Sequence, residues 1–334
     1  MSDRAKRVTL KDIADEVGLS VAAVSYALRG LQVPEETQER VRSVAERLGY
    51  QVDPIARALA SGRTGHIGVM CRSLTDLWQQ GVAAALGRAL LAEGRQSLIV
   101  DSSNDPLLEE SLAGQLVDQR VDAIIVLPTD PSAEHWAKVA RQTVLSSIGD
   151  AIPGAETAAE VVFDNSSAVR GALQILSGTG HRRIAVLTPG EFDTPDRPAE
   201  VVARRIADEI GLDLTLHSTS HELDGAKTIA VELMSGDNAP TAFFCLSDSM
   251  AYGVYSAARS LGLEVPGDVS VLGSDDNQVS ALLTPPLAGY RWPFDDLISS
   301  VVDLTLRALE SGERGSRRVL RATPAPGGSV APPR

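Results

Sequence analysis

Apolar positions in the first fifty residues recur at helical spacing. Leu10, Ile13, Ala14 and Val17 fall at i, i+3, i+4 and i+7, a single stripe that predicts a short helix. Thr9, three residues before Asp12, supplies a capping box at its start. Gly18 permits the backbone of a tight turn. Ser20 is a good N-cap for a second helix from Val21 to about Leu28. In that helix Val24, Ala27 and Leu28 should face a core. Val21, Ala22, Ser25 and Tyr26 then point outward, and Gly30 stops it. A third helix should begin at Pro34-Glu35-Glu36, bury Val41, Val44, Ala45 and Leu48, and end at Gly49. Two short helices joined by a Gly-Leu-Ser turn form a helix-turn-helix, whose second helix suits the DNA major groove. The plainer alternative is a helical bundle with no such role.

From His66 onward the pattern changes. Apolar runs of strand length alternate with helical segments: Ile67–Met70, Leu98–Val100, Ala123–Leu127 and Val144–Leu145, then Ile184–Leu187, Leu214–Leu216, Ala242–Cys245 and Val269–Leu272. Runs separated by a helix length imply parallel sheets of βαβ units. The runs at Ile67 and Leu98 recur at nearly one interval, at Ile184 and Leu214, so the body reads as two similar halves in tandem. Such halves form a clamshell that binds ligands at the strand ends facing the cleft. Those ends offer Arg72, Ser73 and Thr75, with Trp78 on the following helix. They also offer Ser247 and Asp248, and Asp275 and Asp276. Trp78 and Trp292 suit either stacking on a ligand or core packing. The Pro/Gly-rich end from Thr323 to Arg334 reads as an irregular tail.

The net charge of −13 looks wrong for a DNA binder until it is divided. Residues 1–63 carry ten Lys/Arg against nine Asp/Glu, so the acid load sits in the body. Arg4, Lys6, Arg7 and Lys11 make a positive arm able to touch phosphates. Cys71 and Cys245 lie in apolar runs and read as buried free thiols. Met1 to Lys11 lacks an apolar core, and no run approaches the ~18–20 apolar residues of a membrane span, which predicts a cytoplasmic protein without a membrane partner. The sequence carries no dinucleotide fingerprint, P-loop, nucleophile elbow or zinc spacing. An enzyme on a doubly wound fold and a sugar-transport protein are therefore the weaker readings, and no cofactor is expected.

The run VTLKDIADEVGLSVAAVSYALRG, followed by VPEETQERVRSVAERLGYQVDPIARALASGRTGHIGV, resembles the lactose-repressor (LacI) family of bacterial regulators. The resemblance implies an α/β protein, with an N-terminal helix-turn-helix head and a two-lobed, periplasmic-binding-protein-like body built on parallel sheets. Its parts would be a head over 1–50, a hinge helix and linker over 51–65, an N-terminal lobe over 66–165 with about 292–318, and a C-terminal lobe over 166–291 with about 319–334. Base reading falls to Val21, Ala22 and Tyr26. Tyr26 stands where Arg is usual, so a two-pronged grip on guanine is replaced by one hydroxyl and a ring. Thr9, Ser20 and Ser25 join them as DNA-binding candidates, the two serines as phosphate partners. Leu59 takes the place of the leucine that wedges into the minor groove when two hinges meet, with Arg57 and Arg63 beside it. In the cleft, Asp275 matches the effector aspartate and Arg197 is nearest to the effector arginine; Arg72, Ser73, Trp78, Ser247 and Trp292 complete the candidate set. The sequence departs from the family at Ala60, where Lys is frequent, at Ser247, where Asn is usual, and after Arg197, where Pro198-Ala199-Glu200 replaces a Gly-aromatic pair. The function implied is an effector-responsive repressor. It would bind a palindromic operator in double-stranded DNA as a homodimer, under control of a sugar or nucleoside. The sequence lacks a C-terminal heptad pattern of the kind that joins tetramers, which favours the dimer.

Overall fold

The computed structural model describes residues 8–50, 58, 62–189, 198–219, 223–275 and 277–334. The chain divides into two compact units, Met1–Thr64 and Gly65–Arg334.

In the first unit, helices α1 (Leu10–Val17), α2 (Val21–Leu28) and α3 (Glu35–Arg47) surround a core of Ile13, Ala14, Val24, Ala27, Val41 and Ala45. Full burial of an aliphatic side chain such as Ile13 or Val24 stabilises a fold by about 1.5–3 kcal/mol, so these few residues carry much of the head. The capping box forms: Thr9 Oγ1 accepts from the Asp12 amide, and the Asp12 carboxylate accepts from the Thr9 amide at 2.8 Å. Gly18 closes α1 with φ +67°, a conformation that residues with a Cβ rarely adopt. Ser20 Oγ then accepts the Ala23 amide at 3.1 Å and starts α2.

The second unit holds two parallel sheets. The N-terminal lobe contains β1 (His66–Cys71), α4 (Leu77–Ala92), β2 (Gln96–Asp101), α5 (Pro106–Asp118), β3 (Ala123–Val126), α6 (His135–Ala140), β4 (Val144–Gly149) and β5 (Ala159–Phe163). The C-terminal lobe contains α7 (Asn165–Gly178), β6 (Arg183–Pro189), α8 (Pro198–Ile210), β7 (Asp213–Thr219), α9 (Leu223–Ser235), β8 (Ala242–Cys245), α10 (Asp248–Ser260), β9 (Ser270–Leu272) and β10 (Gly289–Arg291). The chain then forms α11 (Phe294–Ser311), β11 (Ser316–Leu320) and β12 (Thr323–Ala325). The strand orders are β11-β5-β4-β3-β1-β2 and β7-β6-β8-β9. Helices α4 and α11 cover one face of the first sheet, and α5 and α6 the other. In the second lobe α7 and α8 oppose α9 and α10. Coverage on both faces explains the continuous apolar runs of β1, β3 and β8.

The chain passes between the lobes three times: at Asp164, at Trp292-Pro293, and at Arg321-Ala322 between β11 and β12. Asp164 caps α7 through the Ser167 amide and receives Arg321 at 3.3 Å, which ties the first crossing to the third. Strands β5, β10, β11 and β12 escape the hydropathy pattern. The Thr323–Arg334 segment is corrected: β12 pairs antiparallel with β10, and Ser329 is fully buried, its Oγ donating to the Val271 carbonyl at 2.6 Å. Short strands at a lobe boundary meet their partners through tertiary contacts, and Pro and Gly there hide the strand signature. Both cysteines are free and buried, as the sequence indicates. Burial pushes the Cys71 thiol up to about 12, so it is inert at neutral pH. Among the described residues no helix is long and apolar enough to cross a membrane.

Candidate DNA-binding face and interlobe cleft

Helix α2 has two chemically different sides. Val24 and Ala27 are fully buried, whereas Val21 is 45% and Tyr26 41% exposed; Ala22 is exposed and Ser25 half-buried. Helical spacing therefore leaves a short outward face carrying one phenol, one hydroxyl and two small apolar groups. The hydroxyl oxygens of Thr9 and Ser20 serve as caps, which holds the two residues at the starts of α1 and α2. Arg63 is exposed. Arg57 and Leu59 of the hinge, and Arg197 of the cleft, lie outside the described residues.

The cleft side of the N-terminal lobe is organised by Gln79, which is almost fully buried. Its Oε1 accepts the amides of Arg72 at 3.0 Å and Ser73 at 3.2 Å. Asp76 caps α4 by accepting the Gln79 amide at 2.9 Å. Ser73 Oγ pairs with Thr75 Oγ1 at 2.6 Å. These bonds fold residues 72–76 into a compact strand-to-helix turn. Behind it, Ser102 and Thr129 join hydroxyls at 3.0 Å, and buried Glu109 accepts the amides of Thr129 and Asp130. Burial raises the Glu109 pKa, and these hydrogen bonds offset part of the rise.

In the C-terminal lobe Asp248 is the organiser. Its Oδ1 accepts the amides of Ser274 at 3.0 Å and Asp275 at 3.2 Å; its Oδ2 accepts the Asn277 amide at 2.8 Å and Ser280 Oγ at 2.5 Å. A Cβ at Gly273 would stand 2.3 Å from Asp248 Oδ1, so the carboxylate fits only because residue 273 is glycine. Asp248 is thus turned into its own loop, while Asp275, half-buried, faces the cleft and accepts the Asp248 amide at 2.9 Å. Ser247 Oγ caps α10 through the Met250 amide at 3.3 Å. Burial, then Asp248, then Asp76, push the Asp275 carboxyl well above the usual range.

The two lobes meet at the start of α4. Ser249 Oγ of α10 donates to Asp76 Oδ2 at 3.5 Å, and Leu77 packs on the core of the C-terminal lobe. Phe163, at the end of β5, stacks on Trp292 with ring centroids 4.4 Å apart and meets Trp78 edge-on at 5.7 Å. Both tryptophans of the candidate set therefore join one aromatic cluster beside two of the crossings. Among the described residues Gln79 Nε2 and Thr188 Oγ1 are buried without a hydrogen-bond partner, the latter near the end of β6.

The structure brings Arg72, Ser73 and Trp78 to one lip of the cleft, and Ser247 and Asp275 to the other. It adds Asp76, Gln79, Phe163 and Ser249, none of which the sequence singled out. Asp76 before the apolar run of α4 carries a legible cap signal. The other three have no local signature, because their roles arise between segments distant in sequence.

Residues 9–53 match the profile of bacterial regulatory proteins of the lacI family, and residues 173–330 that of a periplasmic binding protein-like domain. The HTH-type transcriptional regulator MalR of Streptomyces coelicolor is 32% identical over 298 residues, 85% of each chain. Catabolite control protein A of Priestia megaterium is 28% identical over 296 residues, 87% of this chain and 89% of its own. The lac repressor dimer bound to operator and the anti-inducer ONPF superposes with a TM-score of 0.85, covering 98% of this chain and 100% of that one. At 21% identity that likeness is one of fold.

Proposed function

The chain belongs to the lacI family of bacterial regulatory proteins, and from that premise we propose that it is a repressor that binds a near-palindromic operator as a homodimer and reads a small molecule in the interlobe cleft. As a member of the family it is a transcriptional regulator and not an enzyme. The observation that carries the proposal is the division of α2. Val24 and Ala27 lock the helix to the head, which leaves Val21, Ala22, Ser25 and Tyr26 as its reading face. Val21 and Ala22 offer only apolar contacts, which suit a thymine methyl, and Tyr26 adds one hydroxyl. Ser20 and Ser25 serve phosphates, with Thr9 beside them at the start of α1. Part of the discrimination then comes from DNA deformation at the hinge, through Leu59, Arg57 and Arg63.

A second copy is supported by the edge of the first sheet. On edge strand β2, paired on one side only with β1, Ile99 is 43% exposed, and Leu91 and Leu107 on the flanking helices are 68% and 79% exposed. The effector is a sugar or nucleoside held by Arg72, Ser73, Ser247, Asp275 and Arg197, with Trp78 and Trp292 at the aromatic wall. The buried Gln79 amide and Thr188 hydroxyl support a polar ligand. Effector and operator must change each other's affinity by one and the same factor.

Selection of bound duplexes from a genomic library, run with and without a panel of sugars and nucleosides, tests this reading. The expected result is an enriched palindrome whose binding falls steeply with salt and shifts with one compound. Absence of any enriched sequence refutes it. A palindrome that no compound affects removes the effector half alone.

A further inference from the structure

The lobe contact contains a feature that sugar or nucleoside binding does not require. Three carboxylates converge there from both lobes. Asp76 belongs to the N-terminal lobe and Asp248 and Asp275 to the C-terminal lobe; Asp76 and Asp248 are each 2% exposed. Asp76 already spends its Oδ1 on the cap of α4 and its Oδ2 on Ser249 across the cleft. Asp248 is fixed by four donors from the 274–280 loop. Among the described residues the Asp275 carboxylate accepts one hydrogen bond, from the Asp248 amide, and the residue keeps contact with solvent. Of the three, it is the one whose protonation disturbs no network.

We propose that closure of the two lobes is coupled to uptake of a proton by the Asp76–Asp248–Asp275 cluster, so that the closed arrangement is favoured in acid and loosened in alkali. The groups acting on Asp275 are Asp248 from α10 and Asp76 from the loop before α4. The phenol of Tyr252, also on α10, feels all three acids. Opening the lobes takes Asp76 away and hydrates Asp275, which returns that carboxyl toward its ordinary value of about 4. The closed state thus binds the proton more tightly than the open one. Between the ordinary and the raised value the closure constant falls tenfold per pH unit, for one proton taken up on closing. Above the raised value both states are ionised and the constant levels off. The consequence for operator affinity rests on the cleft being the regulatory site; the closure itself does not.

The test is small-angle scattering of the full chain from pH 5 to pH 9, without DNA or effector, for the natural protein and for Asp76→Asn and Ser249→Ala. Asparagine keeps the cap through its one amide oxygen, turns an N–H toward Ser249 Oγ in place of the acceptor, and removes the charge, while Ser249→Ala reports the loss of that bond alone. The natural protein should expand as pH rises, whereas Asp76→Asn should stay compact to higher pH with a shallower dependence. Ser249→Ala should be more open throughout but keep the natural slope. If Asp76→Asn fails to fold, Asp275→Asn replaces it and should show no proton-linked expansion. An unchanging radius in the natural protein, or an unchanged slope in the charge-removing variant, overturns the proposal. Neither result bears on whether an operator is bound.

Discussion

Replacing Asp248 by alanine removes one side chain and strands four donors. The amides of Ser274, Asp275 and Asn277 and the hydroxyl of Ser280 all point at its carboxylate, over distances of 2.5–3.2 Å. A hydrogen bond to a charged group is worth about 1.5–3 kcal/mol net. The full sum is not lost, because the loop lies partly at the surface and water reaches some of the freed amides. We expect a loss of about 3–5 kcal/mol, the range for breaking a buried charged network. At about 2–4 °C per kcal/mol for a body of this size, the melting point falls by roughly 10 °C. Asp248→Asn keeps one oxygen and should cost about half as much. Calorimetry of the full chain measures both, and hydrogen exchange over 273–280 shows whether the loop loosens. A loss below about 1 kcal/mol for the alanine variant would refute the view that this carboxylate holds the loop, since ordinary surface changes stay within about 0.5 kcal/mol.

Two further predictions concern the head and the C-terminal lobe. Thr9→Ala breaks the capping box and should destabilise the head by about 1 kcal/mol, read as a lower melting point of the head with the body transition unchanged. His181 is buried, its Nε2 donating to the Ala331 carbonyl at 2.8 Å and its Nδ1 accepting from Thr241 Oγ1 at 2.9 Å. Burial lowers its pKa below the ordinary value and outweighs the opposing bond to Ala331. It therefore folds neutral: its share of stability is complete above about pH 6.5 and declines as pH falls toward the lowered value. Urea unfolding at pH 8 and pH 5 should show a smaller acid loss in His181→Gln than in the natural protein, and an equal loss would contradict this.

Much of the head was legible because its signals are local. A cap, a stripe and a turn glycine lie within four residues of what they control, so α1, α2 and the outward face of α2 follow from spacing alone. The central strands followed equally, because burial on both faces demands unbroken apolar runs. Strand β11 was not legible: in Ser316–Leu320 only Leu320 is buried, since an edge strand carrying Arg317 and Arg318 needs no apolar run. The cleft divides in the same way. The strand ends named Arg72, Ser73, Ser247 and Asp275, because ligands collect where parallel strands stop. That Asp248 turns inward while Asp275 faces the cleft, that Phe163 joins Trp78 to Trp292, and that Asp76 stands against Ser249 were decided by packing between segments tens to hundreds of residues apart. Periodicity carries information over one helical turn; the meeting of two lobes depends on which surfaces are left to bury once each has folded.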